Sequence, residues 1–194
     1  MRKVALLLIA AMAMFPALAS AATYVVDANK NTAGGNVGVQ TIALAAGQGF
    51  TVTADANQMW AAGVMPRWSN ADGLSRDFYA SGSDLSQMST GTLIGQFWGY
   101  YGQDDVLAPY GTLFGRIGSA WYNIGSNYSG IAASNGVLEL FYWDFDGGDN
   151  IGSLVVTAVS AVPEPSTWFM MLTGFGLAGF ALRRRAQKPI KRLV

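Results

Sequence analysis

Two uncharged hydrophobic runs bracket this chain, and they leave residues 22–161 as the stretch that must fold in water. At the front, Arg2-Lys3 precedes a mostly apolar, uncharged run from Val4 to Leu18, and Ala19-Ser20-Ala21 supplies a small-x-small cleavage site. That order is a secretory signal peptide, residues 1–21, removed from the mature protein. At the back, an uncharged run from Trp168 to Leu182 is stopped by Arg183-Arg184-Arg185. Arginine clusters resist translocation and stay cytoplasmic, so everything before them lies outside the inner membrane. The run holds fifteen residues, short of the roughly 20 that span a bilayer comfortably. Gly174, Gly176 and Gly179 weaken it further as a helix. A short transmembrane helix of this kind reads as a transient anchor.

Directly before that run stands Val162-Pro163-Glu164-Pro165-Ser166-Thr167. A Pro-Glu-Pro element, one hydrophobic segment and a basic stop, in that order over about Ala161 to Gln187, resemble the PEP-CTERM sorting tail of Gram-negative bacteria. The resemblance implies recognition by exosortase, a membrane transpeptidase-like protease, with cleavage near Pro163, Glu164 and Pro165. It also implies an exopolysaccharide or biofilm setting, with the processed protein at the cell surface or in the extracellular matrix. Residues 162–187 are then the sorting tail, and 188–194 a cytoplasmic remnant.

The passenger between the signals has the length of one domain. Its whole-chain charge of zero misleads. Between residues 22 and 161 there are four basic and eleven acidic residues, a net charge of −7. Such a domain is a poor partner for nucleic acid and a good one for hard cations. The chain has no Cys and no His, which excludes thiol catalysis, disulfides, His-based triads and imidazole or thiolate zinc sites. Oxygen donors remain, so Ca²⁺ is the first metal to consider.

Helical periodicity is weak, and Gly, Asn, Ser and Asp punctuate the passenger at short intervals. The segments between them are rich in β-branched and aromatic residues. That pattern predicts an all-β domain. Expected strands cover 23–27, 39–45, 50–54, 92–101, 112–117, 121–124, 137–143 and 154–159, with 61–90 rich in loops. Phe50, Val52 and Ala54 alternate with Thr51 and Thr53 at the period of a half-buried strand. About eight short strands in one domain suggest a β-sandwich. Glu139, inside an apolar strand, is expected on its solvated face.

The sharpest feature of the passenger is Asp144-Phe145-Asp146-Gly147-Gly148-Asp149-Asn150, between the two strongest expected strands. Three carboxylates in one short loop repel one another. A Ca²⁺ ion, which takes six to eight oxygens including backbone carbonyls, removes that repulsion. Two glycines allow the turn that aims the donors at one point. A solvated hairpin loop would have a similar composition. The segment is not an EF-hand, since it lacks that motif's distal Glu.

The surrounding order narrows the reading. Ala46-Gly47-Gln48, Trp60-Ala61-Ala62-Gly63, Gly111 to Gly118, Tyr122-Asn123-Ile124-Gly125, Ala132 to Gly136, Leu138-Glu139-Leu140 and the acidic loop follow one another. This order, over roughly residues 23–160, resembles the galactophilic bacterial lectins of the PA-IL type, small jelly-roll β-sandwiches that bind galactosides through a bridging calcium. The resemblance implies that Asp144, Asp149 and Asn150 are side-chain ligands of the ion. It implies further that Gly63 gives a backbone carbonyl and Gly147 a second. The acidic loop is about two residues shorter than the lectin's, its closing pair is Asp-Asn rather than Asn-Asn, and no His replaces the lectin's sugar-contacting one. Trp60 and Trp68 are the expected stacking surfaces for a sugar, with Asp146 a further ligand contact.

Asp144, Asp146 and Glu139 offer the carboxylates of a glycosidase pair, but clustered with glycines they read as metal ligands, so the passenger is expected to bind rather than catalyse. Two functions follow. One is a calcium-dependent carbohydrate-binding domain for exported, galactose-containing polysaccharide; the other is a structural matrix or biofilm protein with no discrete ligand. Both require processing at each end. Intact mass of the protein from its host should show loss of residues 1–21 and of everything beyond about Pro163 to Pro165. Exported protein still carrying Arg183-Arg184-Arg185 would contradict the sorting assignment.

Overall fold

The structure, a computed structural model, describes residues 21–161 and the helix at 165–186, with side chains of the helix over 169–184. Residues 1–20 of the signal segment, Pro163 and Glu164 of the sorting motif, the side chain of Arg185 and residues 187–194 lie outside the described residues. The β-rich part forms one compact unit, Ala19–Ala161. The helix belongs to the other unit and is treated by itself.

Fourteen strands make up the domain. They are β1 (Ala21–Asp27), β2 (Val39–Leu44), β3 (Gly49–Ala54), β4 (Trp60–Ala61), β5 (Trp68–Ser69), β6 (Phe78–Tyr79) and β7 (Leu93–Gly95), then β8 (Tyr100–Gln103), β9 (Val106–Pro109), β10 (Leu113–Ile117), β11 (Ala120–Asn123), β12 (Asn127–Ile131), β13 (Gly136–Tyr142) and β14 (Ser153–Ser160). Two four-stranded antiparallel sheets carry the fold, one in the order β1-β14-β3-β12 and the other β11-β10-β13-β2. Three two-stranded ribbons, β4-β5, β6-β7 and β8-β9, complete the set. The β-sandwich reading holds.

The sheets bury one face each, as their period-2 patterns require. Val26, Phe50, Val52, Leu154, Val156 and Ala158 come from the first sheet, and Ile42, Leu44, Leu113, Leu138, Leu140 and Tyr142 from the second. β13 departs from simple alternation because its far face is also covered. There the β8-β9 ribbon brings Tyr101, Val106 and Ala108 onto Phe114, Phe141 and Trp143. Phe114 and Trp143 stack with ring centres 4.0 Å apart, and Trp143 Nε1 donates to the Tyr101 carbonyl at 2.8 Å. The continuous apolar run Leu140 to Trp143 is the sequence trace of this double burial. Glu139, further up the same outward face, accepts from Arg116 at 2.7 Å.

Most expected strands are present within a residue or two. The exception is 92–101, which is two strands, β7 and β8, separated by Gln96–Gly99. Gly99 has φ 120°, a conformation that interrupts an extended run. β9 and β12 carried too few β-branched residues to stand out, and form because they pair with β8 and β3. Ala21, placed at the end of the signal segment by its cleavage site, pairs with Val159 as the first residue of β1.

Helix α1 runs Pro165–Ala186 and opens on proline, the residue best suited to a first helical position. Among the described residues no helix is both long and apolar enough to cross a membrane. The three arginines that end α1 shorten its uncharged stretch.

Trp143 joins the β8-β9 ribbon to the sandwich, so Trp143→Ala should cost about 3–5 kcal/mol of unfolding free energy. Denaturant unfolding measures it; a cost under about 1 kcal/mol would show that the ribbon packs without this side chain.

Candidate functional site

The acidic loop is the crossing from β13 in one sheet to β14 in the other, and the crossing from β1 to β2 lies beside it. Backbone hydrogen bonds tie the two together. Tyr142 N donates to Asn31 O at 2.8 Å, Ala33 N to Tyr142 O at 2.9 Å, and Gly34 N to Asp144 O at 2.9 Å. Side chains add to this. Asn29 Nδ2 donates to Gly147 O at 2.6 Å, and Asn150 Nδ2 donates to Ala28 O and to Asp146 O, both at 3.1 Å. The approach is close enough that a Cβ at Gly34 would overlap the backbone of Phe145.

A third segment closes the site. Ala61 and Ile151 exchange backbone hydrogen bonds of 2.8 and 3.0 Å, which brings the β4-β5 connection alongside. Gly63 is buried there with φ 95°, and a Cβ on it would overlap Asp149 Oδ2. The positive φ is what favours glycine at this position, since the Asp149 side chain could swing away from a Cβ.

Four of the five expected metal ligands therefore come together. Asp144 is only 8% exposed and Asn150 5%. Burial raises the Asp144 carboxyl above its ordinary value; the neighbouring Asn150 amide and the backbone N–H groups of Asp146 and Phe145 oppose this, and the Asp149 charge adds to it. Asn150 Oδ1 is buried with no hydrogen-bond partner, although both donors of its amide nitrogen are used. The Tyr142 hydroxyl beneath is fully enclosed and also without a partner. Burial first, then the charges of Asp144 and Asp149, push its ionisation well up. Among the described residues no three carboxylates converge as a metal-binding group. A cation here would depend on two carboxylates, an amide oxygen and carbonyl oxygen.

Gly147 is the fifth, and the structure directs its carbonyl elsewhere. It already accepts from Asn29 Nδ2 at 2.6 Å and from Asn150 N at 3.1 Å, so both lone pairs are engaged. Asp146 is exposed, and its Oδ1 caps its own turn by accepting from Gly148 N at 2.8 Å. Its other oxygen is free for a ligand.

The two expected stacking surfaces are corrected by the structure. Trp60 is 0% exposed; it lies edge-on to Tyr142 at 4.5 Å and donates from Nε1 to Gly111 O at 2.8 Å and Asn70 O at 3.2 Å. Trp68 is buried with Ala61, Phe78, Ala80 and Ile94. Both hold the loop scaffold from inside, where burying a large ring contributes most. Two aromatics do reach the surface here: Phe145, in the loop itself and 71% exposed, and Trp98, 47% exposed, with the Arg67 guanidinium 3.8 Å from its ring centre. Arg67 in turn lies against Gly63. The sequence signal for this pair was present, since Arg67 is one of only four cations in an acidic domain.

Residues 161–185 match the PEP-CTERM protein-sorting motif, which marks the chain as an exported protein directed to exosortase. No curated protein matches the chain. Among solved structures it is similar to the N-terminal domain of EclA, a PllA-like lectin. The identity is 25% over 72% of this chain and 95% of that one, with a TM-score of 0.38.

Because the folded state holds the Asp144 proton more tightly than the unfolded chain, metal-free stability should fall as pH rises through the window above 3.8. Asp84 moves the other way. Burial raises it, but hydrogen bonds from Ser86 and Ser81 outweigh that and bring it to about 2, below this window. Asp144→Asn should therefore raise the metal-free Tm at pH 7 and leave it nearly unchanged at pH 3.5. Thermal melts in EDTA decide it; a variant that melts lower than wild type at pH 7 would contradict the electrostatic account of this carboxylate.

Proposed function

We propose that the β-sandwich is a calcium-dependent carbohydrate-binding domain, exported and released by exosortase to hold polysaccharide outside the cell. The observation that carries this reading is Asn150 Oδ1. It is a buried acceptor with no donor, beside a buried carboxylate that, among the described residues, no cation neutralises. Leaving such groups unpaired costs about 1–3 kcal/mol each, more when charged. One hard cation satisfies both. The ligands would be Asp144, Asp149, the Asn150 amide oxygen and the Gly63 carbonyl, a set in keeping with the all-oxygen coordination that Ca²⁺ favours. When bound, the ion supplies a Lewis-acidic position for two adjacent sugar hydroxyls.

The chain's own residues set the remaining terms. The loop is held on both flanks by backbone bonding, so its donors are positioned before a ligand arrives, which reduces the ordering cost of binding. Exposed Asp146 is placed to accept from a sugar hydroxyl. A single weak contact of about 0.1–1 mM corresponds to roughly 4–5.5 kcal/mol. Retention on a polymer would then come from many copies acting together. The net charge of −7 disfavours densely charged polyanions. With Asp144 buried and Glu139 engaged by Arg116, the carboxylates favour binding over hydrolysis.

Excess Ca²⁺ should raise the Tm relative to EDTA, by an amount corresponding to about 2.7 kcal/mol at 100 times the dissociation constant. Asp144→Ala should abolish that shift together with glycan binding on an array. A calcium-loaded, folded domain that retains no neutral or weakly charged glycan would favour the structural matrix function instead.

A further inference from the structure

Arg67 is the one cation of the domain without a carboxylate. Lys30 pairs with Asp27 at 3.9 Å, Arg76 with Asp72 at 3.8 Å and Arg116 with Glu139 at 2.7 Å. Arg67 has no such partner within 4.0 Å among the described residues, although it shares the wall of Gly63 with Asp149. What holds it back is visible. Its guanidinium carbon sits 3.8 Å from the centre of the Trp98 ring, and its Nη1 donates to Ala62 O at 3.3 Å. The aromatic face fixes the plane of the guanidinium, and the carbonyl fixes its rotation. One of its five N–H groups is used in this way; among the described residues no acceptor takes the others. A half-buried guanidinium with its outer edge unpaired is built to meet a planar two-oxygen anion.

The charge around it limits what that anion can be. An excess of seven negative charges repels a dense polyanion over its whole surface. A single carboxylate on an otherwise neutral sugar meets little of that repulsion and makes a direct contact with Arg67. We infer that Arg67, held on Trp98, forms a subsite beside the acidic loop for the carboxylate of a uronic acid, so that the domain selects hydroxyl-rich polysaccharide carrying isolated uronate residues. This rests on the carbohydrate reading above and deepens it by naming the substrate class.

Two sugar pairs test it, because each differs only at C6: galactose with galacturonate, and glucose with glucuronate. The full chain in mild detergent is titrated with each in Ca²⁺, as wild type, Arg67→Gln and Trp98→Leu. In wild type at least one uronate should bind about tenfold more tightly than its parent sugar, the gain of one charge-assisted contact. The ratio should fall to about one in Arg67→Gln, and should also drop in Trp98→Leu, which removes the support while keeping the charge. If Arg67→Gln does not fold, as judged by circular dichroism, Trp98→Leu alone decides. If in wild type both parent sugars bind as well as their uronates, the subsite is overturned and the carbohydrate reading stands. A uronate preference that survives in both variants assigns the carboxylate to the metal and likewise overturns it. Failure of all four sugars to bind in Ca²⁺ removes the carbohydrate reading, and the subsite with it.

Discussion

The backbone ladder between the β1–β2 and β13–β14 crossings is the interaction on which the site depends. Tyr142, Asn31, Ala33, Gly34 and Asp144 exchange main-chain hydrogen bonds across it, and Asn29 and Asn150 reach over from either side. Loops usually satisfy their polar groups with water. Here two loops satisfy each other, which is why Asp144 and Asn150 are buried rather than solvated. Removing their water leaves a carboxyl with a raised proton affinity and an amide oxygen with no donor. On the calcium reading proposed above, those two consequences are what make this turn a position for a cation.

The packing beneath makes the arrangement rigid. Tyr142 and Trp143 sit on opposite faces of the end of β13, one against Trp60 in the sandwich core and the other against Phe114 under the β8-β9 ribbon. Asp144 follows directly, so its backbone cannot shift without disturbing one of two aromatic clusters. Trp60 extends the same constraint to the neighbouring segment, because its indole bonds Asn70 and Gly111 while Ala61 pairs with Ile151. The buried tryptophans thus act on the loop through the scaffold, whereas Trp98, against Arg67, and Phe145 stay at the surface.

The sandwich and the position of its acidic crossing were legible from sequence, because period-2 alternation and Asp-Gly punctuation are local signals. That Asp144, Asp149, Asn150 and Gly63 lie near one another was implied only by the resemblance to the lectins, since Gly63 is far from the loop in sequence and no local pattern links it to Asp149. The two tryptophans were misplaced because an aromatic in a loop-rich segment looks the same whether it faces a sugar or a core. Only the pairing of β4 with β5 and the contact with Tyr142 bury them. The split of 92–101 at Gly99 and the clamp by Asn29 also depend on contacts between distant segments, which no local pattern encodes. Gly147 was misread because its carbonyl partner, Asn29, lies 118 residues away.

The most direct measurement is a crystal structure of the chain grown in Ca²⁺. The account predicts an ion with Asn150 Oδ1 and an Asp144 carboxylate oxygen both within about 2.3–2.6 Å. A well-ordered loop in which Asn150 Oδ1 instead accepts from water or protein, with no ion beside Asp144, would contradict it.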